Sequence, residues 1–414
     1  MLKLPKLQTF DSWRSSRNFR FLFLGNICSN GAQWLQLFTA GWLVQTLSAD
    51  LATTGLLVAL VGGINLLPSL LIGPIGGVLG DRLNRKYLIM VLQGFMACVA
   101  WFFAFWNTTD YIEVWHVIAY VIISGSCLCV TQPIRNALIA TTVPKELIGN
   151  AMATNVFTIT GTRLITPFVG GILIANLGFS WNFVIEAMLY MGTILCLIPF
   201  KVSNGKRNNN KEKLNIFSGL KEGLVYLWKV DRALLNLIVL TVIPELLLHP
   251  VWFLLPIFTA DVLLQGPEIG GYLFAVTGLG GFFSPLILGS FGYVFKKGHI
   301  VLGTTILSSI AVILFAYSNW MPAAFLLIFI MAFAQSLFRT TNGALIQSLV
   351  PDNLRGRIST LHFYVKGFVI LSAIGAGWLI DLTSVRVGIA CLGSIGLLLG
   401  IYFAIAFPRV RKLN

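Results

Sequence analysis

Long apolar runs recur along the whole chain and dominate what it can fold into. A helix needs about 20 mostly apolar residues to cross a bilayer, and we predict twelve such segments, called spans 1 to 12. Their expected limits are 20–47, 55–79, 87–106, 112–138, 150–175, 180–200, 233–260, 268–292, 299–318, 321–346, 357–380 and 386–407. Only 11% of the 414 residues are charged, against roughly 25% in a soluble domain. The chain is therefore expected to be an all-α membrane protein embedded in a lipid bilayer.

The basic residues predict how the spans are oriented. With the N-terminus inside, 26 of the 29 Lys and Arg fall on cytoplasmic segments, Arg386 lies outside, and Arg163 and Lys366 lie within spans. Basic loops favour the cytoplasmic side, so we expect a multi-pass protein of the plasma (inner) membrane with both termini cytoplasmic. Topology thereby explains the net charge of +14, and no nucleic-acid partner is predicted.

A sequence repeat divides the chain into halves. NALIATTVPKELIG at 136–149 matches GALIQSLVPDNLRG at 343–356, and the copies lie 207 residues apart (343 − 136), half of 414. Each copy joins the fourth and fifth spans of its half, which predicts two pseudo-symmetric six-helix bundles. The expected domains are an N-terminal bundle at 1–200, a cytoplasmic linker with an amphipathic helix at 201–232, and a C-terminal bundle at 233–414. Such bundles can rock and open a central cavity to each side alternately.

The charged turn after span 2 carries a family signature. It reads GVLGDRLNRK from Gly77 to Lys86 and resembles the G-x-x-x-D-R-x-G-R-K loop of the major facilitator superfamily. Asn84 replaces a glycine, and we expect the turn to be kept because asparagine tolerates a left-handed backbone better than most residues. The charged members of the signature are Asp81, Arg82, Arg85 and Lys86.

Two further stretches resemble the exporter branch of that superfamily, which includes drug-efflux and siderophore-export proteins. LVPDNLRGRIS before span 11 is one, and TGTRLITPFVGGIL in span 5 is the other, with Thr166 in place of a glycine. The matching residues of span 5 are Arg163, Pro167, Gly170 and Gly171. The family's basic residue early in span 4 has no counterpart, because residues 112–130 contain no Arg or Lys.

The resemblance implies the major facilitator fold of 12 transmembrane helices and a secondary active transporter working by alternating access. It implies an exporter of small amphiphilic molecules by proton antiport, so the expected partners are a small-molecule substrate and protons. A lipid or lysolipid translocator and an importer are alternatives on the same fold. We expect a monomer.

Asp81 is the lone acid of the charged turn, and the repeat suggests its partner. The resemblance places the end of span 2 beside the start of span 11, where Arg357 begins a helix whose N-terminus attracts anions. Asp81 corresponds to Tyr293 at an offset of 212, and Arg357 corresponds to Asn150 at the repeat offset of 207, so acid and base are both missing at the second junction. We predict that Asp81 and Arg357 form a gate between the halves; the alternative is membrane anchoring of the loop. The rest of the candidate gate is Gly77, Arg82, Arg85 and Lys86.

Ionisable residues within spans are candidate functional groups, because each costs about 2.5–3.5 kcal/mol on insertion scales. Arg163 keeps its proton, so it pairs with Glu186 or with carbonyl groups, or it contacts substrate. Glu245 in span 7 is a candidate for proton coupling; the alternative is a polar helix contact near His249. Glu186 is expected to be structural, because the resemblance makes span 6 peripheral.

Other polar and small residues of the spans carry broader predictions. Asn26, Asn30 and Gln33 follow the i, i+4, i+7 pattern and share one helix face, where they line the cavity, form interhelical hydrogen bonds, or do both. Lys366 and Arg339 are expected to extend to the membrane surface. Small residues allow helices to approach closely, and the predicted packing positions of span 5 are Pro167, Gly170 and Gly171.

The chain contains none of the motifs that would make it an enzyme or an ATP-driven pump. It has no G-x-x-x-x-G-K-[ST] loop, no H-E-x-x-H and no G-x-S-x-G, which carry phosphate, zinc and nucleophile chemistry respectively. The six cysteines match no metal spacing and are expected to be apolar filler. We therefore predict no catalysis, no cofactor and no metal, with an ion gradient as the energy source.

Overall fold

The computed structural model describes residues 11–72, 79, 83–109, 111–201, 226–228, 232–291, 296–351 and 365–411. Every regular element in these ranges is helical, so the prediction of an all-α membrane protein is confirmed. Nine helices of the described chain are long and apolar enough to cross a membrane. Span 1, with 31 residues, and span 8, with 25, also have sufficient length at 1.5 Å per residue.

The helices of the first half lie at the predicted spans with ends shifted by a few residues. Spans 1 to 6 are Arg17–Leu47; Thr54–Leu66 with Pro68–Leu71; Arg85–Trp106; Val114–Thr142; Ile148–Leu177; and Phe179–Leu197. A short helix, Asp11–Ser15, precedes them. The proposed linker helix lies mostly outside the described residues, of which 226–228 are helical.

The second half has the same order of elements, with a more irregular first span. Span 7 consists of Arg232–Leu240, a π-helix at Ile243–Leu248, Pro250–Phe253 and Leu255–Asp261. Spans 8 to 12 are Pro267–Phe291, Lys297–Ala316, Met321–Leu349, Val369–Leu382 and Val385–Ala406, followed by Pro408–Arg411.

Prolines account for the breaks in span 7. Pro250 is the first residue of one helical segment and Pro256 the second residue of the next. Proline has no N–H to donate to the preceding turn and fits best in the first turn of a helix. Pro244 lies within the π-helix, and π-helical turns are frequent at functional sites.

The two sides of the molecule are named here by the ends of the chain. The terminal face carries both ends of the described chain, and contacts there include a hydrogen bond from Ser12 N–H to Asn150 Oδ1 at 3.1 Å. The far face is the opposite side, where Asn107 donates to Ser180 Oγ at 2.9 Å and Arg386 to Asn319 Oδ1 at 2.6 Å.

The most extensive contacts between the halves are made by two pairs of spans. Span 8 packs against span 5, and span 11 packs against span 2. Each pair joins one helix of the first half to one of the second, so these contacts must change if the halves rock against each other.

Three sequence expectations are wrong at the level of side chains. The count of basic residues places Arg135 on a cytoplasmic segment, and Arg339 is expected to extend to the membrane surface, but both side chains start within helices and Arg135 is only 4% exposed. Asn84 has φ −70° and ψ 112°, and its side chain accepts a hydrogen bond from the Lys86 N–H at 3.1 Å. It is therefore the N-cap of span 3, a position with extended backbone, and not a left-handed turn residue.

Candidate functional site at the bundle interface

A buried guanidinium lies at the middle of the interface between the halves. Arg163 of span 5 is 6% exposed and donates from Nη2 to the backbone carbonyl of Thr277 in span 8 at 2.9 Å. Its Cζ lies 5.6 Å from the ring centre of Trp34 and 4.8 Å from that of Trp252. These distances are within the range of cation–π attraction. Of the partners that the sequence suggests for Arg163, the structure shows a backbone carbonyl group.

A second guanidinium forms an ion pair next to it. Arg339 of span 10 donates to Glu245 of span 7 through Nε to Oε1 at 2.5 Å and through Nη2 to Oε2 at 3.2 Å. Arg339 Nη2 also lies 2.8 Å from His249 Nδ1. The Glu245 side chain is 3% exposed and that of Arg339 is 30% exposed. The predicted polar contact of Glu245 thus has Arg339 as its main partner, and the bidentate geometry fits a strong pair.

Aromatic rings connect the two guanidiniums. Arg339 Cζ lies 5.3 Å from the Trp252 ring centre, so Arg339 and Arg163 share this indole. The Phe274 ring centre is 6.0 Å from that of Trp34 and 6.1 Å from that of Phe38. Both helical halves contribute rings, so this aromatic cluster closes the space beside Arg163.

Little free volume remains within the aromatic cluster. A cavity of about 10 Å³, room for a single water, is lined by residues of both halves. The lining residues include Phe38, Gly62, Trp252, Phe253 and Phe274. A Cβ atom placed on Gly62 would lie only 1.9 Å from the Phe253 ring, so the ring rests directly on the span 2 backbone. A substrate can occupy this site only after the halves have moved apart.

The polar face of span 1 bonds to neighbouring helices of its own half. Asn26 donates to Asn155 Oδ1 at 2.8 Å and Asn30 to Thr158 Oγ1 at 2.9 Å, both on span 5. Arg135 of span 4 donates to Asn30 Oδ1 at 3.1 Å. Asn26 and Asn30 therefore form the interhelical hydrogen bonds that the sequence predicts.

Gln33 lies beside a small polar cavity inside the first half. The cavity measures about 20 Å³, and Arg135, Tyr190 and Gln93 are among the other residues that line it. Gln33 is half-buried. Of the three polar residues predicted on one face of span 1, Gln33 is found among the lining residues of this cavity.

Glu186 lies apart from the interface. It is fully buried in span 6, and the Tyr120 hydroxyl of span 4 donates to its Oε1. The suggested pairing of Arg163 with Glu186 is wrong, because each has other partners. The contacts of Glu186 lie within the first half, as expected for the structural role predicted from the sequence.

A carboxylate joins the halves at the far face. Asp381, at the end of span 11, accepts hydrogen bonds from the backbone N–H of Gly55 at 2.6 Å and of Leu56 at 3.0 Å. Both amides lie in the first turn of span 2, where N–H groups lack intrahelical partners and the helix dipole favours an anion. The N-cap residue Thr53 forms no side-chain cap. Asp381 thus caps a helix of the opposite half, and we call this contact the far latch.

Glycines bring spans 5 and 8 into backbone contact towards the far face. A Cβ on Gly171 would lie 2.5 Å from the Pro267 carbonyl oxygen, and one on Gly271 would lie 2.5 Å from that of Pro167. Only a missing side chain permits such an approach. Gly170 instead faces Leu35 and Asn182 of its own half.

Most of the predicted gate lies outside the described residues. This applies to Gly77, Asp81, Arg82 and Arg357. Lys86 is described, and its ammonium donates to the carbonyls of Ile198 and Phe200 at 2.7 and 2.9 Å. Those carbonyls lie at the end of span 6, so the contacts of Lys86 stay within the first half.

Sequence reasoning missed Arg135, Arg339 and Asp381. The repeat holds a signal for the two arginines, because Gln132 and Arg135 correspond at the same offset of 207 to Arg339 and Asn342. Each half thus has a pair of polar residues at i and i+3 in its fourth span. Asp381 has no such signal, since its partners are backbone amides.

Comparisons with known proteins cover nearly the whole chain. The chain is 25% identical over 420 residues to the enterobactin exporter EntS of Salmonella typhimurium, covering 100% of this chain and 96% of that protein. It is 23% identical over 421 residues to an uncharacterised MFS-type transporter, YfiS, of Bacillus subtilis, covering 94% and 93%.

Solved structures of transporters share the fold. A D-xylose–proton symporter superposes with a TM-score of 0.73 at 14% identity, over 96% of this chain and 99% of the symporter. A bacterial homologue of the human lysosomal transporter Spinster gives 0.71 at 14% identity, over 96% and 98%. The model of the "Transmembrane secretion effector" family matches residues 10–414. The chain therefore belongs to this family of the major facilitator superfamily, and it is a multi-pass transporter of small molecules and not an enzyme.

Proposed function

We propose that the protein exports small amphiphilic molecules, of the drug or siderophore type, across the plasma (inner) membrane in exchange for protons. Full-length similarity to enterobactin exporters supports the direction and the substrate class. The observation that carries the proposal is Arg163, a buried cation in contact with both halves. Charged groups at membrane depth mark substrate and ion pathways. The protein acts as a monomer with both termini in the cytoplasm.

The distribution of basic residues supports this orientation. Arg135 and Arg339 lie within helices and no longer count towards the cytoplasmic side. The other basic residues assigned to that side still greatly outnumber Arg386, the one assigned outside. This asymmetry favours a cytoplasmic terminal face.

We place proton coupling at the pair formed by Glu245 and Arg339. Glu245 is buried, whereas Arg339 is partly exposed beside the central rings. A proton on Glu245 cancels the charge that holds Arg339, and loss of that proton restores the ion pair. Antiport requires that substrate and proton exclude each other, so substrate binds while the ion pair is formed and the proton is carried on Glu245 in the substrate-free state.

Export by antiport predicts uptake into everted inner-membrane vesicles that depends on a proton gradient. A panel of labelled amphiphilic anions, cations and neutral compounds is measured with vesicles acidified inside, and again after nigericin collapses the gradient. We expect one charge class to accumulate only with the gradient. Vesicles without the protein and vesicles with Arg386→Gln, a far-face substitution, are the controls. Flux that ignores the gradient for every compound contradicts antiport.

We also propose two latches that hold the halves together on opposite faces. At the far latch, Asp381 of span 11 binds the start of span 2. The candidate gate reverses these roles, with Asp81 after span 2 facing Arg357 at the start of span 11. Each latch stabilises closure of its own face, so loosening one favours opening on that side.

Substituting each acid is expected to open a different face. Asp381→Asn removes the charge from two hydrogen bonds, and a loss of 1–2 kcal/mol raises the far-open population by about 5- to 30-fold. Spin labels at Leu51 and Leu382 report this opening as a longer distance. Asp81→Asn is expected to lengthen the distance between labels at Leu83 and Pro351, and to be non-additive with Arg357→Gln.

The control for both substitutions is Asp50→Asn, because Asp50 is an exposed acid of the far face. It is expected to leave both distances unchanged. An unchanged Leu51–Leu382 distance in Asp381→Asn contradicts the far latch. Additive effects of Asp81→Asn and Arg357→Gln contradict the gate.

A further inference from the structure

Arg163 carries a positive charge that its described surroundings do not neutralise. Arginine keeps its proton in proteins, and a buried charge is costly unless it is paired. Its partners are a backbone carbonyl and two aromatic rings, and its Nε has no hydrogen-bond partner among the described residues. Only 6% of the residue is exposed, so bulk solvent reaches little of the guanidinium.

The buried acids of the described chain are committed elsewhere. Glu245 binds Arg339 through both carboxylate oxygens. Glu186 accepts from Tyr120 inside the first half. Of the charges on Arg163, Arg339 and Glu245, one positive charge is therefore in excess, and an anion beside Arg163 would offset it.

The surroundings of Arg163 also select the shape of that anion. Trp34 and Trp252 approach the guanidinium from different halves, and Phe274 packs against Trp34. The Trp252 indole N–H has no partner among the described residues, so it is available to an acceptor. Flat rings around a cation suit a flat apolar body that ends in a negative group.

The position of Arg163 links binding to movement. Its hydrogen bond to the Thr277 carbonyl crosses from span 5 to span 8. Gly281 of span 8 makes room for the guanidinium, since a Cβ there would lie 2.0 Å from Nη2. An anion is a stronger acceptor than a neutral carbonyl, so a bound anion competes with Thr277 for the guanidinium and opposes the return of a contact that holds the halves together.

We propose that Arg163 is the counter-ion for a negatively charged group of the transported molecule, and that Trp34 and Trp252 hold its flat aromatic body. This inference rests on the proposed transport function and deepens it: the substrates are aromatic anions. Cationic and neutral amphiphiles of similar size are poor ligands, because they leave the Arg163 charge unpaired.

The inference is tested by binding, with no need for transport. The probes are 2-naphthoate and its neutral counterpart 2-naphthamide, titrated calorimetrically into purified full-length protein in nanodiscs. We expect naphthoate to bind about 10- to 100-fold more tightly, the range for a hydrogen bond to a charged group. Arg163→Gln is expected to remove this preference while naphthamide still binds, which shows that the site is folded. Arg163→Lys is expected to restore part of it, and Arg386→Gln to change nothing.

Equal affinities for the two probes, binding of neither, or a naphthoate preference that survives in Arg163→Gln overturns the inference. Gradient-driven export of cations by a protein that does not prefer naphthoate would leave the proposed function intact and reject only the anionic substrate class. A protein that prefers naphthoate but shows no gradient-dependent flux would support the anionic substrate class and reject proton antiport.

Discussion

Arg339→Gln is expected to destabilise the protein by about 3–5 kcal/mol, the cost of leaving a buried charge without its partner. The variant leaves the Glu245 carboxylate, 3% exposed, without its guanidinium. Glu245→Gln is expected to cost less, because Arg339 is 30% exposed and retains contact with water. The double variant is expected to recover most of the loss.

The free energy of unfolding is measured by titration of the purified protein with SDS, followed by tryptophan fluorescence. Arg386→Gln serves as the matched control, since Arg386 is half-buried and its hydrogen bond to Asn319 lies at the exposed far face; its effect is expected to lie within about 0.5 kcal/mol. If Arg339→Gln is as mild as this control, or if the double variant is additive, the ion pair does not have the energetic role argued here.

Gly171→Ala is expected to open the far face. The new Cβ would meet the Pro267 carbonyl oxygen at 2.5 Å and the Gly271 Cα at 3.1 Å, which are backbone atoms that cannot rotate away. Overpacking costs about 1–3 kcal/mol in the closed state only, so the closed population is expected to fall by about 5- to 150-fold relative to the open one. Gly271→Ala is expected to have the same effect from the other side.

Spin labels at Leu177 and Leu264, both exposed at the far face, measure this opening as a longer distance. The matched control is Gly161→Ala on the same helix, where a Cβ has no neighbour within 4 Å. The control is expected to keep the closed distance. A Gly171→Ala protein that also keeps it would show that the contact between spans 5 and 8 is not limiting for closure.

The helices were predictable because crossing a bilayer imposes a length and a composition that sequence displays directly. Span 5 was expected at 150–175 and is found at Ile148–Leu177. The environment of Arg339 was harder to predict, because the sequence around a charged residue near the end of an apolar segment is the same whether the side chain reaches water or a buried acid. The central site needed both halves in place, since Arg163 meets Trp252 across 89 positions of sequence (252 − 163). Linear spacing carries no sign of that contact.

The far latch has a genetic consequence. Its two donors are the backbone amides of Gly55 and Leu56, and every residue except proline has such an amide. A side chain at Gly55 is nevertheless expected to break the latch, because its Cβ would lie 2.7 Å from Asp381 Oδ1 and 2.5 Å from Ile380. No substitution at either position restores the bond once Asp381 is lost. Second-site suppressors of an Asp381 defect are therefore expected outside the latch, at positions that weaken closure of the terminal face and so rebalance the two states.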